Sequence, residues 1–466
     1  MGITVGLDFG THQSKICVER KEGVEVSYEF LKFKDRHGKM SYTLPSIIQK
    51  DSAGMLSYGF VAPKKDSEII RYFKQATFTN LNNEFSQEQA MMFSVWYISY
   101  IIFDLEELYD KDFAIQAGVP SDGSHMAMQM KRAVRIILSA YKLVEDVFEN
   151  DKEKFLNTPF EELIELTEIL PYSREKKDEY SILIFPEAYA CLLPLVKSSK
   201  IPRGMSLMVD IGGGTTDISF FSIKNKKPLM YDFYSVNKGL NFLTNAKVYD
   251  DGELLEEDKV VVENKGLSFK EKLSYLKNKL LGHFSNKKIQ TPSLKEEKLD
   301  SNVKNENEIT KENKKRYKDA IEGVRLKLVG RLTTEFKKQC DLDIDRLYDA
   351  LKGRPIIYTG GGSTYSCLRL SYGEFKHIMH ISEANWQTEV VKDIEDIRKF
   401  KLFPILSTAY GLSVSVPNDK IVCEPLREIF SNIRTKGKGH ITNTVKETPK
   451  YRKVEFDYMD DYDAWK

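Results

Sequence analysis

The sequence predicts an α/β protein made of two similar halves, each a mixed β-sheet with helices around it, with a central cleft between them. The main observation is a repeat. Residues 5–11 and residues 208–215, about 200 positions apart, share an apolar strand, an aspartate, one further residue, a glycine and then a hydroxyl side chain. Another apolar strand follows each segment, which predicts a β-hairpin in each half. A chain of 466 residues is long enough for two large lobes.

The first half has short strands at its start and longer helices after them. Alternating apolar and polar side chains predict strands, whereas apolar side chains that recur every three to four residues predict helices. Ser86 and Gln89 have the spacing of a capping box at the start of one helix. The predicted elements are a strand at 3–9, two or three antiparallel strands within 15–33, a helix at 87–109, a strand at 113–119 and a helix at 125–149.

In the second half, apolar strands lead into glycine-rich turns at two places. The first half ends with a predicted strand at 182–185 and a helix from about Glu187. The predicted elements of the second half are a strand at 207–211, a return strand at 218–223, a helix at 318–351 and a strand at 356–359. Residues 285–317 consist mainly of Asn, Lys, Glu and Ser, with few apolar side chains and no clear period. We expect this segment to be a mobile insertion or a solvated helix.

The composition is that of a globular protein without a strong charge preference. Apolar side chains make up 41% of the residues, which excludes a wholly disordered chain. With 70 basic and 69 acidic residues, the net charge of +1 gives no direct nucleic-acid or membrane signal.

The cysteines and the apolar runs favour a cytoplasmic protein. The five cysteines are scattered and none lies in a C-x-x-C pair, which favours reduced thiols over a disulfide framework or a zinc knuckle. The N-terminus has no basic region followed by an apolar core, so we expect no secretory signal. The most apolar run, residues 91–105, is shorter than the ~20 residues that span a bilayer, and we expect a buried helix there.

The two hairpin turns have the chemistry of a phosphate-binding site. Glycine lets the backbone approach an anion closely, so that consecutive amide N–H groups can donate to it, and a threonine adds a hydroxyl donor. An aspartate at the strand end, Asp8 or Asp210, would repel a bare phosphate. A magnesium ion held through water between carboxylate and phosphate removes this conflict. A third glycine run, residues 360–362 before Ser363, follows another apolar strand and supports the same interpretation.

These three motifs resemble those of a known superfamily of nucleotide-binding proteins. Asp8-Phe-Gly10-Thr11, Asp210-Ile-Gly-Gly-Gly-Thr-Thr-Asp217 and Gly361-Gly-Ser-Thr364 resemble the first phosphate, second phosphate and adenosine motifs of the actin, sugar-kinase and heat-shock-70 superfamily. Their order and spacing resemble most closely the nucleotide-binding domain of the seventy-kilodalton heat-shock chaperones. Residues 44–46, followed later by Phe73-Lys74, resemble the segment that leads to the catalytic lysine of that family. The resemblance covers about residues 1–417.

The resemblance implies a two-lobed, actin-like ATPase fold around a central nucleotide cleft. The first lobe would span residues 1–205 with an inserted subdomain at about 34–80, and the second would span 206–417 with an insertion at about 243–320. Residues 418–466 would form a C-terminal tail. Because this tail is too short and too polar for the peptide-clamping module of those chaperones, we do not expect a self-contained peptide-binding chaperone.

The resemblance also implies roles for individual residues, with ATP or ADP and Mg²⁺ as the cofactors. Asp8 and Asp210 would hold the metal through water, and Lys74, Asp210 and Thr215 would form the catalytic group. Asp217 would support the second hairpin. The nucleotide would contact Gly10, Thr11, His12, Gly212, Gly213, Gly214, Thr215, Gly361, Gly362, Ser363 and Tyr365.

Two positions depart from the family pattern. The family has a glutamate before a proline where this chain has Phe185 before Pro186, with Glu187 after it. The family's switch glutamate, which contacts magnesium-bound water, is therefore either lost or replaced by Glu187. The adenine-stacking arginine falls at Tyr365, whose aromatic ring can also stack on a base.

The sequence thus predicts an ATP-binding, slowly ATP-hydrolysing protein of heat-shock-70 type that acts as a nucleotide-controlled conformational switch for a protein partner. One alternative is an actin-like, filament-forming ATPase, which the triple glycine of the second hairpin suits nearly as well. Another is a non-hydrolysing nucleotide sensor, because of Phe185. A small-molecule kinase would need a carboxylate base aimed at a substrate hydroxyl, and no motif identifies one.

Overall fold

The two predicted hairpins lie at the centres of two β-sheets. The computed structural model describes residues 2–62, 66–78, 85–110, 112–120, 126–168, 170, 180–197, 205–224, 227–244, 311–339, 351–352, 354–372 and 375–414. The strands of the first half are β1 (Gly2–Asp8), β2 (Gln13–Glu22), β3 (Glu25–Phe30), β4 (Phe33–Lys34), β5 (Met40–Ser41), β6 (Leu44–Pro45), β7 (Ile47–Lys50), β8 (Leu56–Tyr58), β9 (Glu68–Arg71), β10 (Ala114–Val119) and β11 (Ile182–Pro186). The strands of the second half are β12 (Ser206–Ile211), β13 (Thr216–Lys224), β14 (Lys227–Val236), β15 (Pro355–Thr359) and β16 (His377–His380).

Helices cover and connect these strands. They are α1 (Phe73–Phe78), α2 (Gln87–Tyr109), α3 (Met126–Lys142), α4 (Lys152–Leu156), α5 (Phe160–Glu168), α6 (Glu187–Ala190), α7 (Leu193–Lys197), α8 (Leu240–Thr244), α9 (Lys311–Gln339), α10 (Ile394–Lys399) and α11 (Phe403–Ser413). A π-helical turn, Leu143–Val147, continues α3. The crossover from β10 to β11 contains α3, because parallel neighbours need a long connection.

Both sheets have the same strand order and the same mixture of directions. In the first sheet, β1, β2 and β3 are antiparallel, β10 runs parallel to β1, and β11 runs parallel to β10. In the second sheet, β12, β13 and β14 are antiparallel, β15 runs parallel to β12, and β16 runs parallel to β15. The short strand β6 joins the first sheet by pairing with β2. This repeated topology confirms the predicted α/β fold class with duplicated mixed sheets.

The helix α2 follows its prediction closely. It begins after the capping box of Ser86 and Gln89, and the apolar run predicted as a buried helix lies within it. No helix among the described residues combines the length and the apolarity needed to cross a membrane.

The helix α9 differs from its prediction. The sequence predicts a mobile insertion or a solvated helix at 285–317 and a helix at 318–351, whereas one helix, α9, already begins at Lys311. Tyr317 is fully buried, and its hydroxyl lies 3.0 Å from that of Thr216 on β13. The polar composition of this segment does not indicate a packed helix. A helix that packs along one side needs only a few apolar residues on that side. Most of the insertion predicted at about 243–320 lies outside the described residues, as does the tail 418–466, so those expectations stay predictions.

The last helix, α11, connects the two halves. All its residues except Ile405 are buried, and it shares a core cluster with β1 and β2. A Cβ on Gly411 would lie 1.7 Å from the carbonyl oxygen of Ala190, so the helix packs backbone to backbone. The carbonyl of Pro404 accepts hydrogen bonds from Thr359 and from the amide of Gly360, at the end of β15. The predicted second lobe includes this helix, whereas its packing places most of it on the first sheet, because a helix apolar on every side must be covered.

The close approach at Gly411 generates the first prediction. We expect Gly411→Ala to lower the free energy of unfolding by about 2–3 kcal/mol, because the added methyl group overlaps the Ala190 carbonyl. Gly323→Ala is the matched control. Gly323 lies within α9 with nothing within 4 Å of an added Cβ, so alanine should stabilise the helix by about 0.5–1 kcal/mol. Thermal unfolding monitored by circular dichroism measures both changes, and equal effects would contradict the packing described for α11.

Candidate functional site

The turns of the two central hairpins contact each other directly. The turn between β1 and β2 faces the turn between β12 and β13. A Cβ on Gly213 would lie 2.2 Å from Cδ2 of His12, and one on Gly214 would lie 2.9 Å from Cγ2 of Thr11. Any larger residue in the second turn would overlap the first turn, so this approach requires glycine. The structure thus brings together four of the predicted nucleotide contacts.

Tyr72, just before α1, belongs to the same contact. Its ring meets the ring of His12 edge-on, with the centroids 5.6 Å apart. The φ angle of Tyr72 is +62°, in the left-handed region that bulky residues rarely adopt. Such a conformation costs about 1–3 kcal/mol and persists only where the surroundings enforce it. The backbone that leads into Lys74 is therefore tightly constrained.

The remaining glycines of the two turns shape the turns themselves. A Cβ on Gly10 would lie 2.1 Å from the carbonyl oxygen of Gln13. In the second turn, the amide of Gly212 donates to the carbonyl of Thr215 at 2.9 Å. These two predicted nucleotide contacts therefore have a structural role in closing the hairpins, in addition to any role toward a ligand.

The third glycine run lies beside Asp210. Gly360 has a φ of +81°, and a Cβ there would lie 2.2 Å from Oδ1 of Asp210. The next residues form a 3₁₀ turn, Gly361–Thr364, in which the Ser363 hydroxyl donates to the carbonyl of Gly360 at 2.7 Å. Because β15 is the neighbour of β12 in the sheet, the predicted adenosine motif and the second phosphate turn are adjacent.

Tyr365, predicted to stack on adenine, is almost fully buried. Its side chain is 6% exposed and belongs to the core cluster of the second sheet. Stacking on a base would require this ring to gain an accessible face. Gly362 on the preceding turn packs against Ile211, because a Cβ there would lie 2.2 Å from Cγ2 of Ile211. The contacts predicted for Gly361, Gly362 and Tyr365 with adenosine stay predictions.

Lys74 and Glu187 form a buried ion pair between elements that are distant in sequence. Lys74 lies on α1, Glu187 begins α6 after β11, and their Nζ and Oε1 atoms are 2.6 Å apart. A Cβ on Gly118 would lie 2.8 Å from Cγ of Glu187, so the glycine makes room for this side chain. Phe185 is buried in the core beside them. Glu187, and not residue 185, is therefore the carboxylate that accompanies the predicted catalytic lysine.

Lys15 was missed by the sequence analysis. Its Nζ lies 2.9 Å from Oδ2 of Asp8 and 3.3 Å from the Cβ position of Gly10. The signal that could have identified it is the hairpin register, which pairs Asp8 with Lys15 across β1 and β2. A predicted hairpin places the residue opposite a candidate aspartate in reach of it.

Burial and mutual repulsion set the charge state of these groups. Burial raises the pKa of Asp210 well above its usual range, and the carboxylates of Asp217, Glu187 and Asp8 raise it further. Burial also raises the pKa of Glu187, against the opposing effect of Lys74. For Lys74, burial lowers the pKa, but Glu187 and Asp8 outweigh it and the net direction is upward.

The charges of this cluster fit a bound cation. In the part of the chain that the structure describes, the carboxylates of Asp8, Asp210, Asp217 and Glu187 face the ammonium groups of Lys15 and Lys74. The neighbouring carboxylates add to the effect of burial, which is the main reason why the pKa of Asp210 is raised. Within the described residues, no three metal-ligating side chains are grouped as direct ligands. Mg²⁺ usually keeps several waters and takes one or two carboxylates with substrate phosphates, so the residues present fit a water-mediated ion.

Comparison with known proteins gives only distant likenesses. No family model and no curated protein matches this chain. Among solved structures, the chain is similar to MreB5 of Spiroplasma citri bound to ADP, with a TM-score of 0.28, and to MreB5 of the same organism bound to AMPPNP, with a TM-score of 0.27. Both share 15% sequence identity with this chain and cover 52% of it, while the chain spans 54% and 55% of theirs. The matched part is therefore about half of each protein.

The contact between His12 and Gly213 generates the second prediction. We expect Gly213→Ala to destabilise the protein by about 1–3 kcal/mol, because the methyl group overlaps the imidazole ring. His12→Ala removes the ring, so the double variant should recover most of this loss. The coupling energy, measured by a thermal-unfolding double-mutant cycle without nucleotide, should exceed about 0.5 kcal/mol. Strictly additive effects would mean that the two turns do not touch in solution.

Proposed function

We propose that this protein binds ATP with Mg²⁺ where the two hairpin turns meet and hydrolyses it slowly. The observation that carries the proposal is the direct contact of the two turns, each of which follows a buried aspartate and offers glycine amides and a threonine. Thr11 and Thr215 would donate to phosphate oxygens, together with the amides of the glycines beside them. A polyphosphate bound beside this contact would thus bond to both halves of the molecule.

Two ammonium groups supply positive charge to the proposed phosphate site. Lys15 lies on the first hairpin and Lys74 on α1, and each is held by a carboxylate. Phosphoryl transfer depends mainly on positioning and on neutralising charge, which these groups can provide. Mg²⁺, when bound, would neutralise further phosphate charge. Asp8 and Asp210, one on each hairpin, would hold it through water.

Lys74 is the proposed catalytic lysine, and Glu187 would position it. The 2.6 Å ion pair fixes the ammonium group, and the raised pKa of Lys74 keeps it charged at neutral pH. Thr215 would contact the transferred phosphoryl group, with Asp217 behind it. The alternative of a non-hydrolysing sensor depends on Phe185, which stands where the family has a glutamate. The lysine–glutamate pair formed with Glu187 supports hydrolysis instead.

Nucleotide binding would couple the two halves, and we propose that a protein partner responds to this change. The phosphate contacts come from both sheets, so their loss after hydrolysis would weaken the connection. The heat-shock-70 type in particular depends on the resemblance in sequence alone. The nucleotide-controlled switch does not require that type.

A second candidate is an actin-like ATPase whose assembly into filaments is controlled by ATP. The triple glycine of the second hairpin, in contact with the first, suits this class nearly as well as the chaperone class. Both MreB5 structures to which the chain is similar are nucleotide complexes. Sedimentation with ATP and Mg²⁺ distinguishes the candidates, because a filament former pellets with ATP and a monomeric switch stays in the supernatant.

Titration calorimetry tests nucleotide binding. We expect Asp210→Ala to weaken Mg²⁺–ATP binding at least about tenfold, since charged contacts of this kind contribute more than 1 kcal/mol. Asp232→Ala is the matched control, because Asp232 is also buried in the second sheet but pairs with Arg331 outside the turns. Equal affinity of the Asp210→Ala variant and the wild type would show that the metal-binding aspartate lies elsewhere.

Steady-state hydrolysis tests Lys74. We expect Lys74→Ala to lower kcat by about 100-fold with a much smaller effect on ATP affinity, because the lysine acts on charge that develops in the transition state. Lys142→Ala removes another buried lysine, on α3, and should leave kcat unchanged. A matched loss of binding and turnover in Lys74→Ala would indicate a structural lysine.

A further inference from the structure

Gln75, the residue after Lys74, extends from the first half toward the second phosphate turn. Its side chain is 2% exposed, and both amide heavy atoms are shielded from solvent. A Cβ on Gly214 would lie 3.1 Å from Oε1 of Gln75 and 3.1 Å from Oγ1 of Thr11. The amide of Gln75, the hydroxyl of Thr11 and the backbone of Gly214 therefore converge on one point between the halves.

The side chain of Gln75 brings hydrogen-bonding groups to this point. A primary amide offers two N–H donors and a carbonyl acceptor, so it can bond to a phosphate oxygen and to a water at the same time. Thr77, another buried polar residue of α1, shows the structural alternative. Its hydroxyl donates to the carbonyl of Phe73 and lies 3.0 Å from the hydroxyl of Ser94, all within the first half. Gln75 instead meets the second hairpin, at a place where glycine leaves room for it.

We propose that Gln75 is a further catalytic residue of this protein, which contacts the terminal phosphate and the water that attacks it. The inference depends on the proposed ATPase function and deepens it. The Nε2 group would donate to a phosphate oxygen, and Oε1 would accept a hydrogen bond from the attacking water. An amide is neutral near pH 7, so it orients the water without removing its proton.

The reaction that Gln75 would assist balances without another reactant. The water oxygen forms a bond to the γ-phosphorus, and the bond from that phosphorus to the β–γ bridging oxygen breaks. The products are ADP and inorganic phosphate, and the proton from water remains on the phosphate or passes to solvent. Because most of the barrier to phosphoryl transfer lies in positioning and charge, an orienting amide beside the Lys74 ammonium group can lower it.

The position of Gln75 also predicts at which stage of the reaction it acts. Its helix belongs to the first half and Gly214 belongs to the second, so the amide reaches a phosphate bound at the seam between them. ADP lacks the terminal phosphate, so Gln75 should contribute to the transition state and little to ADP affinity. A structural glutamine would not discriminate in this way.

Hydrolysis and binding assays on the full chain test the proposal. We expect Gln75→Ala to lower kcat about 100-fold, as removal of one oriented donor does in other enzymes, with ATP and ADP dissociation constants within about threefold of wild type. Gln129→Ala is the matched control. Gln129 is an equally buried glutamine whose amide donates to the carbonyl of Phe78, at the other end of α1, so it perturbs the same helix outside the turns. Its kcat should stay within about twofold of wild type.

The outcomes separate this inference from the proposed function. If the wild type hydrolyses ATP and Gln75→Ala retains its kcat, the inference is wrong and the ATPase proposal stands. An equal loss in Gln129→Ala would also overturn it, since any disturbance of α1 would then suffice. If the wild type binds ATP without turnover, the assay becomes binding of ADP with aluminium fluoride, which mimics the transition state. Gln75→Ala should then lose affinity for that complex relative to ADP, and an unchanged ratio would overturn the inference. If the wild type binds no ATP, both the proposed function and the inference on Gln75 are wrong.

Discussion

Contact between two glycine turns holds this molecule in the arrangement from which every proposed activity follows. The His12 ring lies against Gly213, and Thr11 lies against Gly214, at distances that exclude a Cβ from the second turn. Protein interiors are close-packed, so the two halves can meet only because Gly213 and Gly214 have no Cβ atom. The contact brings side chains from both sheets to one place, which neither sheet provides alone.

The close approach of the two turns also brings several carboxylates together. Each hairpin contributes an aspartate, and the junction adds Asp217 and Glu187, so that the pKa of Asp210 is raised by burial and by its neighbours. Lys15 and Lys74 compensate only part of this charge. An uncompensated buried charge is costly in the absence of a ligand, and a metal–polyphosphate complex brings charges of both signs to it. The electrostatics therefore favour a cation-assisted anion site over a purely structural polar core.

The helix α11 helps to join the two sheets, which also share one large core cluster. Its body packs against β1 and β2 and against Ala190, while the carbonyl of Pro404 bonds to the end of β15 beside Gly360. The adenosine motif is thus tied to a helix that lies on the opposite sheet. Any change in the separation of the turns would have to be accommodated at this junction.

The sequence by itself determined the duplicated hairpins, the aspartates at their strand ends and the glycine runs, because these depend on local patterns of apolar, acidic and glycine residues. The register that pairs Asp8 with Lys15 also follows from the hairpin pattern. Only the tertiary structure decided that Glu187 accompanies Lys74, that Gln75 meets Gly214, that Tyr317 is buried and that Tyr365 lies in a core. These contacts join residues up to more than a hundred positions apart, and no local period records which distant surfaces will be pressed together.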